Sequence, residues 1–173
     1  NVFASTSVVS NRDGSLLERS EFLMNEFLSL PRSIASAAKT LTTGDITMFT
    51  ISGGPIEVLA LVGIVTTNVQ GQATSTKITL TTTSPAATVD VSAAAVDLTG
   101  IAAGTSISHI NTTNVLTVVT AGFVMRGSAF ATEQPKLLVP AGTMKINNAS
   151  ASNTGEITWY MRYIPLSPLS RVA

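Results

Sequence analysis

From Asp45 onward the sequence alternates with a period of two, and this alternation constrains the fold more than any other feature. Lys77-Ile78-Thr79-Leu80-Thr81-Thr82-Thr83 puts apolar and hydroxyl side chains on opposite sides of an extended chain, as a sheet with one wetted face requires. Ile46-Thr47-Met48-Phe49-Thr50-Ile51 does the same and runs into Ser52-Gly53-Gly54-Pro55, which reads as a turn. The β-branched stretch 56–67 predicts a long strand, with shorter ones at 87–91, 105–110, 115–120, 123–125 and 136–139. A closing hairpin is expected between 143–147 and 155–164, through the small polar residues of 148–154. Many short strands separated by Gly and Pro predict a mainly β chain: an antiparallel β-sandwich or jelly-roll-like domain over residues 45–173.

Residues 1–44 follow a different pattern. The first fourteen are polar and aperiodic, as in an extended arm. Ser15-Leu16-Leu17-Glu18 then matches a capping box, in which the Ser15 hydroxyl accepts from the Glu18 amide and the Glu18 carboxylate reaches back. Leu16, Leu23, Phe27 and Leu30 recur at helical spacing, predicting one amphipathic helix over about 16–29 that Pro31 stops. Arg19, Glu21 and Glu26 fall largely on the other side. The apolar strip either packs on the chain's own β-domain or is covered by a partner.

Charge narrows the function. Ten Lys and Arg balance ten Asp and Glu, so the basic excess needed to hold nucleic-acid phosphates is missing. Only 12% of residues are charged while 45% are apolar, a combination that favours association. No basic segment followed by an apolar one opens the sequence, so no signal peptide is expected. The longest apolar stretch, residues 58–65, is far short of a membrane-spanning helix, and no membrane partner is expected. Between residues 58 and 125 the formal charges are Lys77, Asp90 and Asp97, with Thr, Ser and Ala in their place. Such a region is either simply a threonine-rich sheet or a surface that faces sister subunits.

The residues that carry chemistry stand apart from one another, so no enzyme activity, catalytic residue, metal site or cofactor is expected. His109 is the single histidine, and with no Gly-x-Ser-x-Gly elbow a serine triad through Asp97 has no support. With no cysteine and one histidine a zinc site lacks ligands, and Asp90 and Asp97 are too isolated for a calcium loop. Glu57, Glu133 and Glu156 are available for glycosidase chemistry, which needs two facing carboxylates, but nothing in the sequence pairs them. Trp159, Met161 and Tyr163 share one face of the last long strand and Tyr160, Arg162 and Ile164 the other, so one of these faces should be core. After it, the prolines of Pro165-Leu166-Ser167-Pro168-Leu169 should keep it out of a central strand, so it should run extended over a surface with Leu166 and Leu169 seeking a neighbour. Leu16, Leu23, Phe27, Leu30, Leu166 and Leu169 are therefore the candidate protein-interaction residues.

Three stretches resemble small β-rich structural proteins of tailed bacteriophages, particularly capsid decoration (cement) proteins. They are the segment opening Ile46-Thr47-Met48-Phe49-Thr50-Ile51-Ser52-Gly53-Gly54-Pro55, Leu138-Val139-Pro140-Ala141-Gly142-Thr143-Met144-Lys145, and Gly155-Glu156-Ile157-Thr158-Trp159-Tyr160-Met161-Arg162-Tyr163-Ile164-Pro165-Leu166. The resemblance implies a virion protein on the capsid exterior, a homo-oligomer (commonly a trimer) that binds the major capsid protein and clamps neighbouring capsomers. The alternative is a tail-associated or receptor-binding module that recognises a glycan.

Overall fold

The computed structural model describes residues 30–92, 95–110, 115–119, 137–149 and 154–173, with the backbone alone for 109–110 and 115–119. The predicted arm and helix, the expected strand at 123–125 and Glu133 lie outside the described residues, as do Leu16, Leu23 and Phe27.

Alternation in the sequence becomes alternation in burial. Strands β3 (Gly44–Ser52), β4 (Ile56–Thr67), β5 (Thr76–Thr83), β10 (Gly142–Asn148) and β11 (Glu156–Pro165) alternate in burial, interrupted at Met48, where β3 bulges, and at Thr79 of β5, which is buried between Ile78 and Leu80. They divide into two antiparallel sheets. Sheet A runs in the order β1 (Arg32–Ala35), β11, β4, β7 (Ser106–Ile110), β8 (Val115–Val119), with β2 (Lys39–Thr40) on β11 and β9 (Leu137–Val139) on β4. Sheet B runs β12 (Arg171–Val172), β3, β10, β5, β6 (Ala86–Asp90). Phe49, Ile78, Met144 and Ile146 from sheet B meet Leu61, Ile157, Trp159 and Met161 from sheet A in one buried core. The expected antiparallel β-sandwich is the fold.

Trp159 shows how the sequence fits this interior. It is fully buried, and its cross-strand neighbour on β4 is Gly63. A Cβ at Gly63 would come within 2.9 Å of Ile157 Cγ2 and 3.2 Å of the indole, so a glycine in the middle of a β-branched strand is what lets the ring lie flat there. Trp159, Met161 and Tyr163 are core, and Tyr160 and Arg162 face out.

Two features depart from the sequence reading. Residues 32–40, read as part of the N-terminal segment, supply β1 and β2 to the edge of sheet A, where Arg32 to Ala35 pair with Tyr163 to Tyr160. A four-residue edge strand with Ile34 as its one large apolar residue carries too little alternation to stand out. The expected 143–147/155–164 hairpin does not form: β10 lies between β3 and β5 in sheet B, whereas β11 pairs with β1 and β4 in sheet A. The connection crosses the sandwich, as do those from β3 to β4, from β9 to β10 and from β11 to β12. Small polar residues suit a crossing as well as a tight turn, and long-range partners decided the matter.

Candidate interaction surface

The crossing from β11 to β12 fixes one end of the sandwich. Leu166 N donates to Pro55 O at 3.1 Å, Ser170 Oγ to Pro55 O at 2.8 Å and Ser167 Oγ to Gly53 O at 3.3 Å. Gly53 adopts φ +73°, and a side chain there would overlap the Leu169 carbonyl. The Gly53-Gly54-Pro55 turn is thus a seat for the C-terminal segment, a use of glycine that permits close backbone approach. The expectation that its prolines keep 165–169 extended and out of a central strand is corrected in two respects. Pro165 is the last residue of β11, level with Ile56. Residues 166–169 bend through a turn in which Ser170 N donates to Ser167 O at 3.0 Å, before the last residues add β12 to the edge of sheet B.

Pinned in this way, Leu166 and Leu169 stay exposed, at 43% and 66%. They have company. Pro165 is level with Ile56, Ile56 with Val139, and Leu138 with Glu57, so Leu138 (61% exposed) projects near the same end. Leu30, exposed at 60%, precedes Arg32, which is level with Tyr163. Leu59, also exposed, is the extra residue where β4 bulges between Val58 and Ala60. Five exposed leucines from four separate chain segments therefore gather toward one end of sheet A. Of the interaction residues expected from sequence, the structure brings together Leu30, Leu166 and Leu169. It adds Leu59 and Leu138, which sequence reasoning missed because each sits within an unbroken apolar run.

The two outer faces of the sandwich differ. On sheet B, Thr50, Thr143, Thr81 and Thr88 form one cross-strand row over β3, β10, β5 and β6. Beside them Lys145 pairs with Asp45 at 3.0 Å and Lys77 with Asp90 at 2.8 Å. Asn147 also donates to Asp45, and these donors hold the Asp45 carboxyl below its ordinary pKa. On sheet A the rows are Ser33–Arg162–Ala60 and Ala35–Tyr160–Val62, followed by Ile64 and Thr158, with Arg162 in mid-row and Glu57 and Glu156 on the same face toward its two ends. The stretch from 58 to 125 is divided between both sheets, so its scarcity of charge does not map to a single face.

The acidic residues described have structural partners. Asp97 Oδ1 accepts from Thr99 N and Thr74 N, both at 2.9 Å, closing an Asx turn, and these bonds lower its pKa. Glu156 reaches Thr67 Oγ1 at 3.2 Å and Thr40 Oγ1 at 3.4 Å, fastening β2 and β4 to β11. Glu57 is level with Ile164, eight residues from Glu156 along β11, or about 26 Å at strand rise. That is well beyond the spacing of a glycosidase carboxylate pair. His109 lies in β7, level with Leu116 of β8. Among the described residues no three His, Cys, Asp or Glu side chains gather as metal ligands, and no helix is long and apolar enough to cross a membrane.

Comparison of the chain with protein-family models, with curated proteins and with solved structures finds no match.

Proposed function

We propose that this chain is a non-enzymatic structural protein of a virion, which packs against copies of itself and against the outer capsid shell. The observation that carries the reading is the gathering of Leu30, Leu59, Leu138, Leu166 and Leu169 at one end of the sandwich. Apolar side chains scattered singly need no explanation, but five brought toward one end from four segments, two of them in the pinned C-terminal segment, are what a contact surface would use. Net charge zero and sparse charged residues support the same reading, because such a surface repels its copies weakly. The capsid as the larger partner rests on the resemblance of the three stretches to decoration proteins. In that setting the leucine end joins subunits into a symmetric oligomer, with three as the expected number.

The test is copy number per particle together with one variant. Quantitative mass spectrometry of purified virions should count hundreds of copies, and Leu138→Asp/Leu166→Asp should be missing from the particles while still folding. A handful of copies would refute decoration. The threonine row of sheet B favours the second reading, a tail-associated glycan-binding module, since neutral hydroxyls on a flat face can meet sugar hydroxyls. Low copy number combined with glycan binding that Thr81→Val/Thr143→Val abolishes would establish it instead.

A further inference from the structure

An edge strand presents unpaired N–H and C=O groups that another chain can join, and proteins blunt such edges with charge, proline or brevity. The edges β1 and β12 follow that rule: β1 follows Pro31 and opens on Arg32, and β12 is two residues long and carries Arg171. Strand β6, Ala86-Ala87-Thr88-Val89-Asp90 at the other edge of sheet B, does not. All five of its residues are exposed, and its one charge, Asp90, is already held by Lys77 at 2.8 Å. Val89 is level with buried Leu80 and so belongs with Ala87 to the inner face, yet it is 47% exposed. The edge therefore extends past the layer that covers the rest of sheet B.

The hydrogen-bond phase of β6 shows which of its groups are open. Val91 N donates to Ile78 O at 2.8 Å and Ala87 N to Thr82 Oγ1 at 3.1 Å, so the odd-numbered residues turn their amides toward β5. The alternate residues, Ala86, Thr88 and Asp90, then turn both N–H and C=O outward, and among the described residues no strand lies beyond β6 to receive them. A second β6 running antiparallel fits this spacing. Centred on Thr88, it sets Thr88 against its own copy, Ala86 against Asp90 and Ala87 against Val89. Every outward residue of both strands then bonds, giving about six backbone hydrogen bonds. The Ala87–Val89 pairs fall at the positions where side chains sit closest, and they cover the exposed apolar residues. Centring on a neighbouring residue leaves one of the three beyond the end of the partner strand, and centring on Asp90 opposes two carboxylates.

We propose that a second copy of this chain adds to β6 edge to edge, across a two-fold axis at Thr88, joining the two B sheets into one. The cross-strand row of Thr50, Thr143, Thr81 and Thr88 then runs on into its copy. One five-residue strand from each chain buries well under the roughly 1,200 Å² of a stable complex, so the contact closes near millimolar concentration or where another contact has already gathered the copies. Being isologous, it stops at two chains. None of the five leucines takes part, so the pairing is separate from the leucine end, and in an oligomer built there it ties one oligomer to the next.

The test uses the full chain carrying Leu138→Asp/Leu166→Asp, which removes the leucine contact. Sedimentation velocity from about 10 μM to about 1 mM should carry it from one chain to two and no further. In that background Thr88→Pro removes an outward N–H that β5 does not use and should weaken pairing at least about tenfold, whereas Thr88→Val keeps the N–H and should stay within about twofold of its parent. A single chain at about 1 mM, growth beyond two chains, or Thr88→Pro pairing as well as Thr88→Val would overturn the proposal. A cross-link gives a second measurement without proline, because the sequence has no cysteine. Thr88→Cys should oxidise to a disulfide-linked pair, since a hydrogen-bonded pair sets its Cα atoms about 5.5 Å apart. Thr50→Cys, exposed on the same face in β3, should cross-link at least about tenfold more slowly, and equal rates would contradict the pairing. The leucine-end reading fails on a different sample, the wild-type chain at micromolar concentration, so the two failures are told apart.

Discussion

The C-terminal clamp can be tested by adding one methyl group. Gly53→Ala meets two penalties: Gly53 has φ +73°, and its new Cβ would overlap the Leu169 carbonyl. The first costs about 1–2 kcal/mol for an L-residue in the left-handed region. The second forces the crossing off the turn and strains the bonds from Leu166 N, Ser167 Oγ and Ser170 Oγ, of which losing one or two costs about 1 kcal/mol each. The sum is about 2–4 kcal/mol, or a fall in Tm of about 4–16 °C for a chain of this size. Gly100→Ala isolates the first penalty, because Gly100 has φ +80° with open space where its Cβ would stand. Urea and thermal unfolding, followed by fluorescence of buried Trp159 at a fixed protein concentration, should place Gly53→Ala below Gly100→Ala by about 1–2 kcal/mol. The Thr50 amide, bonded to Ala173 O at 2.7 Å through the strand that the clamp delivers, should exchange faster in Gly53→Ala alone. Equal stability of the two variants within about 0.5 kcal/mol would refute the claim that the turn seats the crossing.

Further outcomes follow from the core and from the surface carboxylates. Trp159→Ala should cost about 3–5 kcal/mol as a cavity opens over Gly63. Trp159→Phe should cost less than about 2 kcal/mol, because the indole N–H is buried with no partner among the described residues and its removal relieves that burden; chemical denaturation of both variants checks the order. Asp45 and Asp97 bind protons less readily folded than unfolded, so unfolding takes up protons and their stabilisation, full above about pH 4, is lost as the pH falls below it. Asp45→Asn/Asp97→Asn should flatten the acid limb of the urea midpoint measured against pH; an unchanged limb would contradict these hydrogen-bond assignments.

What the sequence made legible was whatever short-range alternation controls. The strand expected at 56–67 is β4 with the same ends, and the division of β11 into a Trp159 face and a Tyr160 face follows from period two alone. Partner choice was not legible. Residues 148–154 read as a hairpin loop, yet Met144 aligns with Phe49 and Leu80, whose burial in the other sheet outweighs chain proximity. The group of exposed leucines was half legible. Leu166 and Leu169 are marked by the prolines around them, although Pro165 itself still closes β11 and the turn through 166–169 was not legible. Leu59 is turned outward by a bulge, and nothing in Val58-Leu59-Ala60-Leu61 marks where the phase slips. Leu138, within Leu137-Leu138-Val139, needs its pairing with Glu57 to reveal which way it points.

On the proposed function, copies of this chain pack against one another through the leucine end. Sedimentation equilibrium on the purified full chain at micromolar concentration measures this most directly. A discrete oligomer is expected, three chains by the decoration reading, that Leu138→Asp/Leu166→Asp reduces to single chains with the far-UV β signal intact. A wild-type protein that sediments as one chain throughout would contradict it.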